Sequence, residues 1–583
     1  GDPCSSFFVG PGRRTLVARG DSEEEAKDWF HMAPEWRAPR PEEKAAEWPN
    51  MGAIASSLPS FSDVTGYFLR DSSEFYPKTK VRRIPVPKAR TLSSGKPRRV
   101  HVLFSDTGGG HRASALALEA ALHRQYASQV SVKLVDFFRE ATPWPLNQAP
   151  EVYQVMGHLP LVYKKVWEVD RHHARWHDTM LFRWMWNHAR EFVLRFITET
   201  VTEGVDLLLS VHPLVNHLVM EALEEVFPGR SIVPVVTVVT DLGTAHQSWF
   251  DPRVDLIFVP SLEIEHLAKK HGLPRRRMHV CGLPVREGFW EPDLRPKRLL
   301  REQLGLAATD RPDVVLLMGG GEGFGSLGQV AVAIGEMLAK TGVGQLVVVC
   351  GRNEEVRRAL EDHEWPACTD GVEARDCATP RQFSPVIVGF VANMHEYMGA
   401  ADCLVTKAGP GTIAEAMIKG LPCLLTSFVP GQEEGNVAFV ERAGFGEFVS
   451  DTEPHRVAET LATWLADPDR LLRMSVCAQG FARPQGALDI ARIICNSVLD
   501  LGQELSEAPR PRMLGPTSGA LDLADPSDYE LAIGPAAPRL EALDAACAPI
   551  GGAGESPHRN VPAQDAFEAS ASDAPLVEAS RER

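Results

Sequence analysis

The sequence predicts an α/β protein built from two Rossmann-like domains with a cleft between them. Three observations lead there. Short β-branched, apolar runs alternate with helical patterns from about residue 98 to about residue 500, the mark of parallel sheets covered on both faces. The charged stretch Glu291–Gln303 divides that alternation into two sets. The first strand of each set runs into three glycines, Gly108–Gly110 and Gly319–Gly321.

Residues 1–97 read as a poorly ordered leader rich in Pro, Arg, Glu and Ser, as in WRAPRPEEK and VPKARTLSSGKPRR. The first domain, 98–290, opens with VHVLFSD, with further strands expected at Val130–Val135, Asp206–Val211, Ile232–Thr240, Asp255–Val259 and Met278–Cys281. The second domain, 291–500, has expected strands at Asp313–Met318, Gln345–Cys350, Pro385–Val388, Cys403–Thr406 and Cys423–Thr426. Helices are expected between them, among them Gly411–Lys419 and Pro454–Ala466, and the last one is placed to pack back on the first domain. Residues 501–583, rich in Ala, Pro, Ser, Glu and Asp, read as a disordered acidic tail.

A chain of 583 residues is long enough for two cores and extensions. Its formal net charge of -16 argues against a general nucleic-acid binder. The 10 cysteines form no CxxC or zinc-type spacing and are expected to be reduced thiols. No apolar run reaches the roughly 18 residues of a membrane span, so any work on lipid would be done lying on the surface.

Ligands of such sheets sit at the carboxyl ends of the strands. Ser105-Asp106-Thr107-Gly108-Gly109-Gly110-His111-Arg112 follows the first strand and opens a helix. Its glycines allow a tight turn close to a ligand, and the helix start favours negative charge. His111 is expected at that start, facing the cleft; the bland alternative is a histidine in a cap position. Met318–Ser326 repeats the logic in the second domain and could cradle a diphosphate. It also loosely mimics a dinucleotide fingerprint. A nicotinamide reading would leave the next cluster without a role. That cluster is Thr406–Ala416, TKAGPGTIAEA, in which Gly411 and Thr412 could hold phosphate and Glu415 could accept from ribose hydroxyls. A capping box with Thr412 as N-cap and Glu415 as its partner fits the spacing equally well. In Pro430–Asn436, Gln432 and Glu433 could pair with sugar hydroxyls, or simply line a solvated loop.

These residues resemble a known family. SDTGGGHRASALALEAAL, GLPVREGF, GFVANMHEYMGAADCLVTKAG and TKAGPGTIAEAMIKGLPCLLTSFVPGQEEGNVAFV are similar to the monogalactosyldiacylglycerol synthases of glycosyltransferase family 28. The resemblance covers roughly Arg99 to Leu499. It implies the GT-B glycosyltransferase architecture and inverting transfer of galactose from UDP-galactose to diacylglycerol, with peripheral attachment to the plastid envelope. It also implies roles by position: His111 as base, Arg286 near the donor phosphates, Gly319, Gly320 and Gly321 as the phosphate loop, Gly411 and Thr412 at the diphosphate, Glu415 at the ribose, and Gln432 and Glu433 at the galactose. Gly109, Gly110, His246 and Trp249 fall on the acceptor side. No cofactor or metal is required by this scheme, and Asp467-Pro-Asp469 is read as a turn.

Tyr163–Phe196 interleaves aromatic and basic residues, and Trp184, Trp186, Arg183 and Arg190 are expected to meet anionic membrane lipid. A buried helix with an ordinary charged face is the alternative. Two rival functions stay open at this stage: a glucosyltransferase of the same fold acting on diacylglycerol, and an inactive nucleotide- or lipid-binding homologue.

Overall fold

The computed structural model describes residues 96–107, 109–152, 179–229, 232–307, 314–319, 326–342, 344–368 and 383–501. The expectations for the leader, the tail, Gly320 and Gly321 lie outside these residues, as do Trp167 and Trp176.

The first domain runs β1 (Arg98–Phe104), α1 (Gly110–Tyr126), β2 (Val130–Asp136), α2 (Phe137–Ala141), α3 (Met180–Glu203), β3 (Leu207–Ser210), α4 (Pro213–Val226), β4 (Val235–Val238), β5 (Leu256–Val259), α5 (Leu262–Lys270) and β6 (Met278–Val280). The second runs α6 (Lys297–Gln303), β7 (Val314–Met318), α7 (Leu327–Thr341), β8 (Gln345–Val349), α8 (Glu354–Glu361), β9 (Val386–Val388), α9 (Met394–Ala400), β10 (Cys403–Lys407), α10 (Pro410–Lys419), β11 (Cys423–Ser427), α11 (Glu434–Arg442) and β12 (Gly446–Phe448). Helices α12 (Pro454–Leu465), α13 (Pro468–Gly480) and α14 (Gly486–Ser497) complete it.

Two six-stranded sheets result, ordered β2-β1-β3-β4-β5-β6 and β12-β11-β10-β7-β8-β9. Every described strand pair is parallel. Strand alternation builds the layers. Val100, Val102 and Phe104 of β1 face one core, and Leu103 faces another. In β7, Val314, Leu316 and Met318 join the same core as Val100, whereas Val315 and Leu317 face a third. One apolar core is therefore continuous across both domains. Fully buried Trp290 sits in it, and α14 packs on α1, with the Tyr126 hydroxyl donating to Asn496 Oδ1 at 3.3 Å.

Several expected boundaries move. The run Ile232–Thr240 yields only Val235–Val238, because Pro234 has no N–H for the ladder. Helix α10 starts at Pro410 rather than Thr412, with Gly409 as its N-cap; proline at the first helical position is pre-organised for that start. The capping-box alternative therefore fails. Asp467 is the N-cap of α13, its carboxylate accepting from Arg470 N at 2.9 Å. Cys281, Cys350, Cys368, Cys403, Cys423 and Cys495 are free thiols, as expected of them.

Candidate active site

A crevice opens in a doubly wound sheet where neighbouring strands send their connections to opposite faces. In the first sheet β1 lies between β2 and β3, and in the second β7 lies between β8 and β10. The chain leaves β1 into the Gly109–His111 turn, β7 into Gly319, and β10 into Lys407–Gly411. Gly109, Gly319 and the long cluster thus stand at switch points.

On the first-domain side, Gly109 is the N-cap of α1 at φ 77°, a conformation that favours glycine. A Cβ at Gly109 or Gly110 would meet nothing within 4 Å, so both border open space. His111 follows, but its ring is buried rather than presented to an open cleft. Its Nδ1 lies 2.8 Å from the Val211 carbonyl oxygen and 3.0 Å from Thr240 Oγ1. A carbonyl only accepts, so Nδ1 carries the proton and Nε2 keeps the lone pair. Burial lowers the ring's pKa to about 4, with the bond to Val211 opposing. His111 is therefore neutral at pH 7.

His212, a residue the sequence reading passed over, lies 4.6 Å from His111 ring to ring. Burial, and then His111, push it well below the ordinary histidine value. Its position after β3 and before Pro213 was the available signal. Trp249 is fully buried, 6.1 Å from His111, and donates from Nε1 to Asp241 Oδ2 at 2.6 Å. His246 is buried too and caps the short turn Gln247–Trp249, accepting from Ser248 N at 3.3 Å. Trp249 backs the histidine pocket from within, and His246 is likewise buried rather than lining open surface. Burial raises the Asp241 carboxyl to about 6 against its hydrogen bonds from Trp249 and Gln432.

On the second-domain side, the first helical hydrogen bond of α10 runs from Ile413 N to Gly409 O at 3.0 Å. The N–H groups of Gly411 and Thr412 precede it, and a Cβ on Gly411 would meet open space. A helix start of this kind favours an anion. Glu415, one turn on, is buried and gripped in bidentate fashion by Arg286: Nε to Oε1 at 2.8 Å and a terminal nitrogen to Oε2 at 2.7 Å. Burial raises the Glu415 carboxyl and Arg286 opposes it. Two positions 129 residues apart are thus one unit.

Glu433 is buried, with Lys407 Nζ at 2.6 Å and Val429 N at 2.8 Å from its two oxygens. Gln432 is half-buried and reaches Asp241 Oδ1 at 3.5 Å. Lys407 was not singled out from the sequence; a lysine at the end of a switch-point strand was the signal. With Met318, Gly319, Ser326, Ser427 and Asp451 it lines a small cavity. Among the described residues no group of three or more His, Cys, Asp or Glu side chains is arranged to hold a metal.

The family model described as monogalactosyldiacylglycerol (MGDG) synthase matches residues 111–285, beginning at His111. The glycosyltransferase family 28 C-terminal domain matches 314–490. Monogalactosyldiacylglycerol synthase 1, chloroplastic, of Arabidopsis thaliana is 35% identical over 412 residues, 68% of this chain and 71% of that one. The chain belongs to the monogalactosyldiacylglycerol synthase family. The chloroplastic spinach (Spinacia oleracea) enzyme is 37% identical over 70% of this chain and 73% of its own length. Among solved structures, Acinetobacter baumannii MurG aligns over 69% of this chain and 100% of its own, at TM-score 0.43 and 16% identity.

For a family member, the membrane-facing expectation falls on α3. Trp184 and Trp186 are half-buried and pack on the first domain's own core. Arg190 pairs with Glu225, whereas Arg183 is exposed. The large exposed apolar side chains of this domain include Trp144, Val152 and Met180, beside the same stretch of chain. No described helix is long and apolar enough to cross a membrane.

Proposed function

We infer that the chain carries out the galactolipid-forming reaction of its family, passing galactose from UDP-galactose to the free hydroxyl of 1,2-diacylglycerol. The observation that carries the mechanism is the hydrogen bond from His111 Nδ1 to the Val211 carbonyl. It leaves Nε2 as a neutral acceptor at the start of α1. The lipid hydroxyl attacks the anomeric carbon, its proton passes to Nε2, and UDP leaves from the opposite face, so the α-linked donor gives a β-galactoside. General-base help of this kind contributes about 10²–10⁴-fold. Bound UDP-galactose brings negative charge near the ring and raises its basicity, offsetting the desolvation that holds it low.

The departing diphosphate gains charge. The first-turn N–H groups of Gly411 and Thr412 face it, and the Arg286–Glu415 pair divides the remaining work: guanidinium towards phosphate, carboxylate towards ribose. Gln432 and Glu433 take the galactose hydroxyls. Gly319, Gly320 and Gly321 complete the phosphate side. No metal or cofactor enters the scheme, and turnover that persists in excess chelator is the expected result.

Diacylglycerol is delivered from the bilayer, so the first domain lies against it peripherally, with exposed Arg183 towards anionic lipid. The plastid envelope is the proposed location, supported by relatives whose names carry "chloroplastic". The test uses liposomes of diacylglycerol with an anionic lipid and labelled UDP-galactose or UDP-glucose in parallel. A β-galactolipid from UDP-galactose is the expected product. Product from UDP-glucose alone would make the chain a glucosyltransferase, and no product from either would make it an inactive homologue.

A further inference from the structure

The galactose loop is not held by its own domain alone. Asn436, 1% exposed, accepts at Oδ1 from Gly243 N at 2.8 Å and donates from Nδ2 to Ala408 O at 2.9 Å. Both partners have a fixed sense, so the amide has one orientation. One side chain thus ties a first-domain loop to the turn that opens α10. Beside it, Thr244 Oγ1 lies 3.3 Å from the Gln432 carbonyl oxygen.

Two glycines bring the loops this close. A Cβ on Gly243 would lie 2.1 Å from the Gly435 carbonyl oxygen, and one on Gly435 would lie 2.2 Å from Thr244 Cγ2. Neither glycine adopts a positive φ. Space, not backbone conformation, is what excludes a side chain here. Gly243 meets backbone, which cannot yield, whereas Gly435 meets one removable side chain.

We propose that Gly243, Thr244, Gly435 and Asn436 form an interdomain seam that registers the sugar-binding loop against His111, with Asn436 as its positioning residue. The same first-domain loop carries Asp241 and follows Thr240, the hydroxyl neighbour of His111. A shift at the Gly243–Gly435 contact therefore moves the anomeric carbon relative to Nε2, whereas the bond from Asn436 to Ala408 reaches the turn that opens α10. Misplacement by about 1 Å is enough to cost on the order of 100-fold in rate. The inference rests on reading residues 431–436 as the sugar-binding loop.

The test is a size swap. G435A should keep UDP affinity within about twofold of the parent while kcat falls on the order of 100-fold. T244G removes the side chain that the new methyl group strikes, so G435A/T244G should recover at least about tenfold of that loss; G243A should not be rescued by T244G. N436D keeps the acceptor for Gly243 and loses the donor to Ala408 in the turn that opens α10, so it should lower kcat by more than it weakens UDP binding, and it covers the case in which G435A does not fold. Parent-like kcat in G435A and N436D, or a folded G435A that T244G fails to rescue, overturns the seam. Q432A tests the loop reading separately: unchanged galactose recognition in Q432A would sink that reading, whereas the swap reports on register alone.

Discussion

The two switch points have the same topology and opposite chemistry. At the first, an αL glycine opens α1 and the buried groups beside it are neutral rings, His111 and His212, whose charged forms burial disfavours. At the second, Gly409 caps α10 at an ordinary φ of -70°, and two ion pairs stand beside it: Arg286 with Glu415, Lys407 with Glu433. A desolvated neutral histidine suits proton transfer, and a set of paired charges at a helix start suits an anion that arrives and leaves. The lesson is that one sheet topology supports either task, and the residue placed after the strand decides which.

The largest expected effect breaks the first side only. His111→Ala should lower kcat by about 10²–10⁴-fold, with UDP affinity unchanged by calorimetry. Next, Glu415→Ala strips Arg286 of its partner and the ribose of its acceptor. A rise in KM for UDP-galactose on the order of 10–100-fold is expected from the loss of charge-assisted bonds, with UDP affinity falling in parallel. Falling kcat at unchanged KM would show that the pair serves the first side instead.

Acid should also separate the two sides. His111 falls from an ordinary 6.5 to about 4 in the fold, so the unfolded chain binds its proton more readily. Its contribution is complete above pH 6.5 and is lost as pH falls to 4, on the order of 3 kcal/mol. Thermal melts of His111→Asn should show a shallower acid loss than the parent. The smallest effect concerns the membrane. Trp184→Ser with Trp186→Ser should weaken liposome binding in flotation assays by severalfold while UDP binding persists. Because both rings also pack on the core, loss of both functions together would assign α3 to the core alone.

The layers were legible in the sequence because buried parallel strands are short apolar runs, as in VVLLM and CLVTK. The strand β12, Gly446–Phe448, was not: GEF has no such run and pairs only as an edge. Site positions followed from glycine turns after strands. Their partnerships did not, because Arg286 and Glu415, or Lys407 and Glu433, meet only through the fold. The buried state of His111 and Trp249 was likewise invisible, since neither spacing nor composition reports which carbonyl a ring will face.

In the proposed reaction a neutral His111 takes the acceptor proton. The pH dependence of kcat/KM for galactolipid formation tests it most directly, because that ratio reports groups of the free enzyme. An acid limb near pH 4 is expected, absent from the residual activity of His111→Ala, with a limb in kcat shifted upward by the bound donor. An unchanged acid limb in His111→Ala would contradict it and move the base elsewhere.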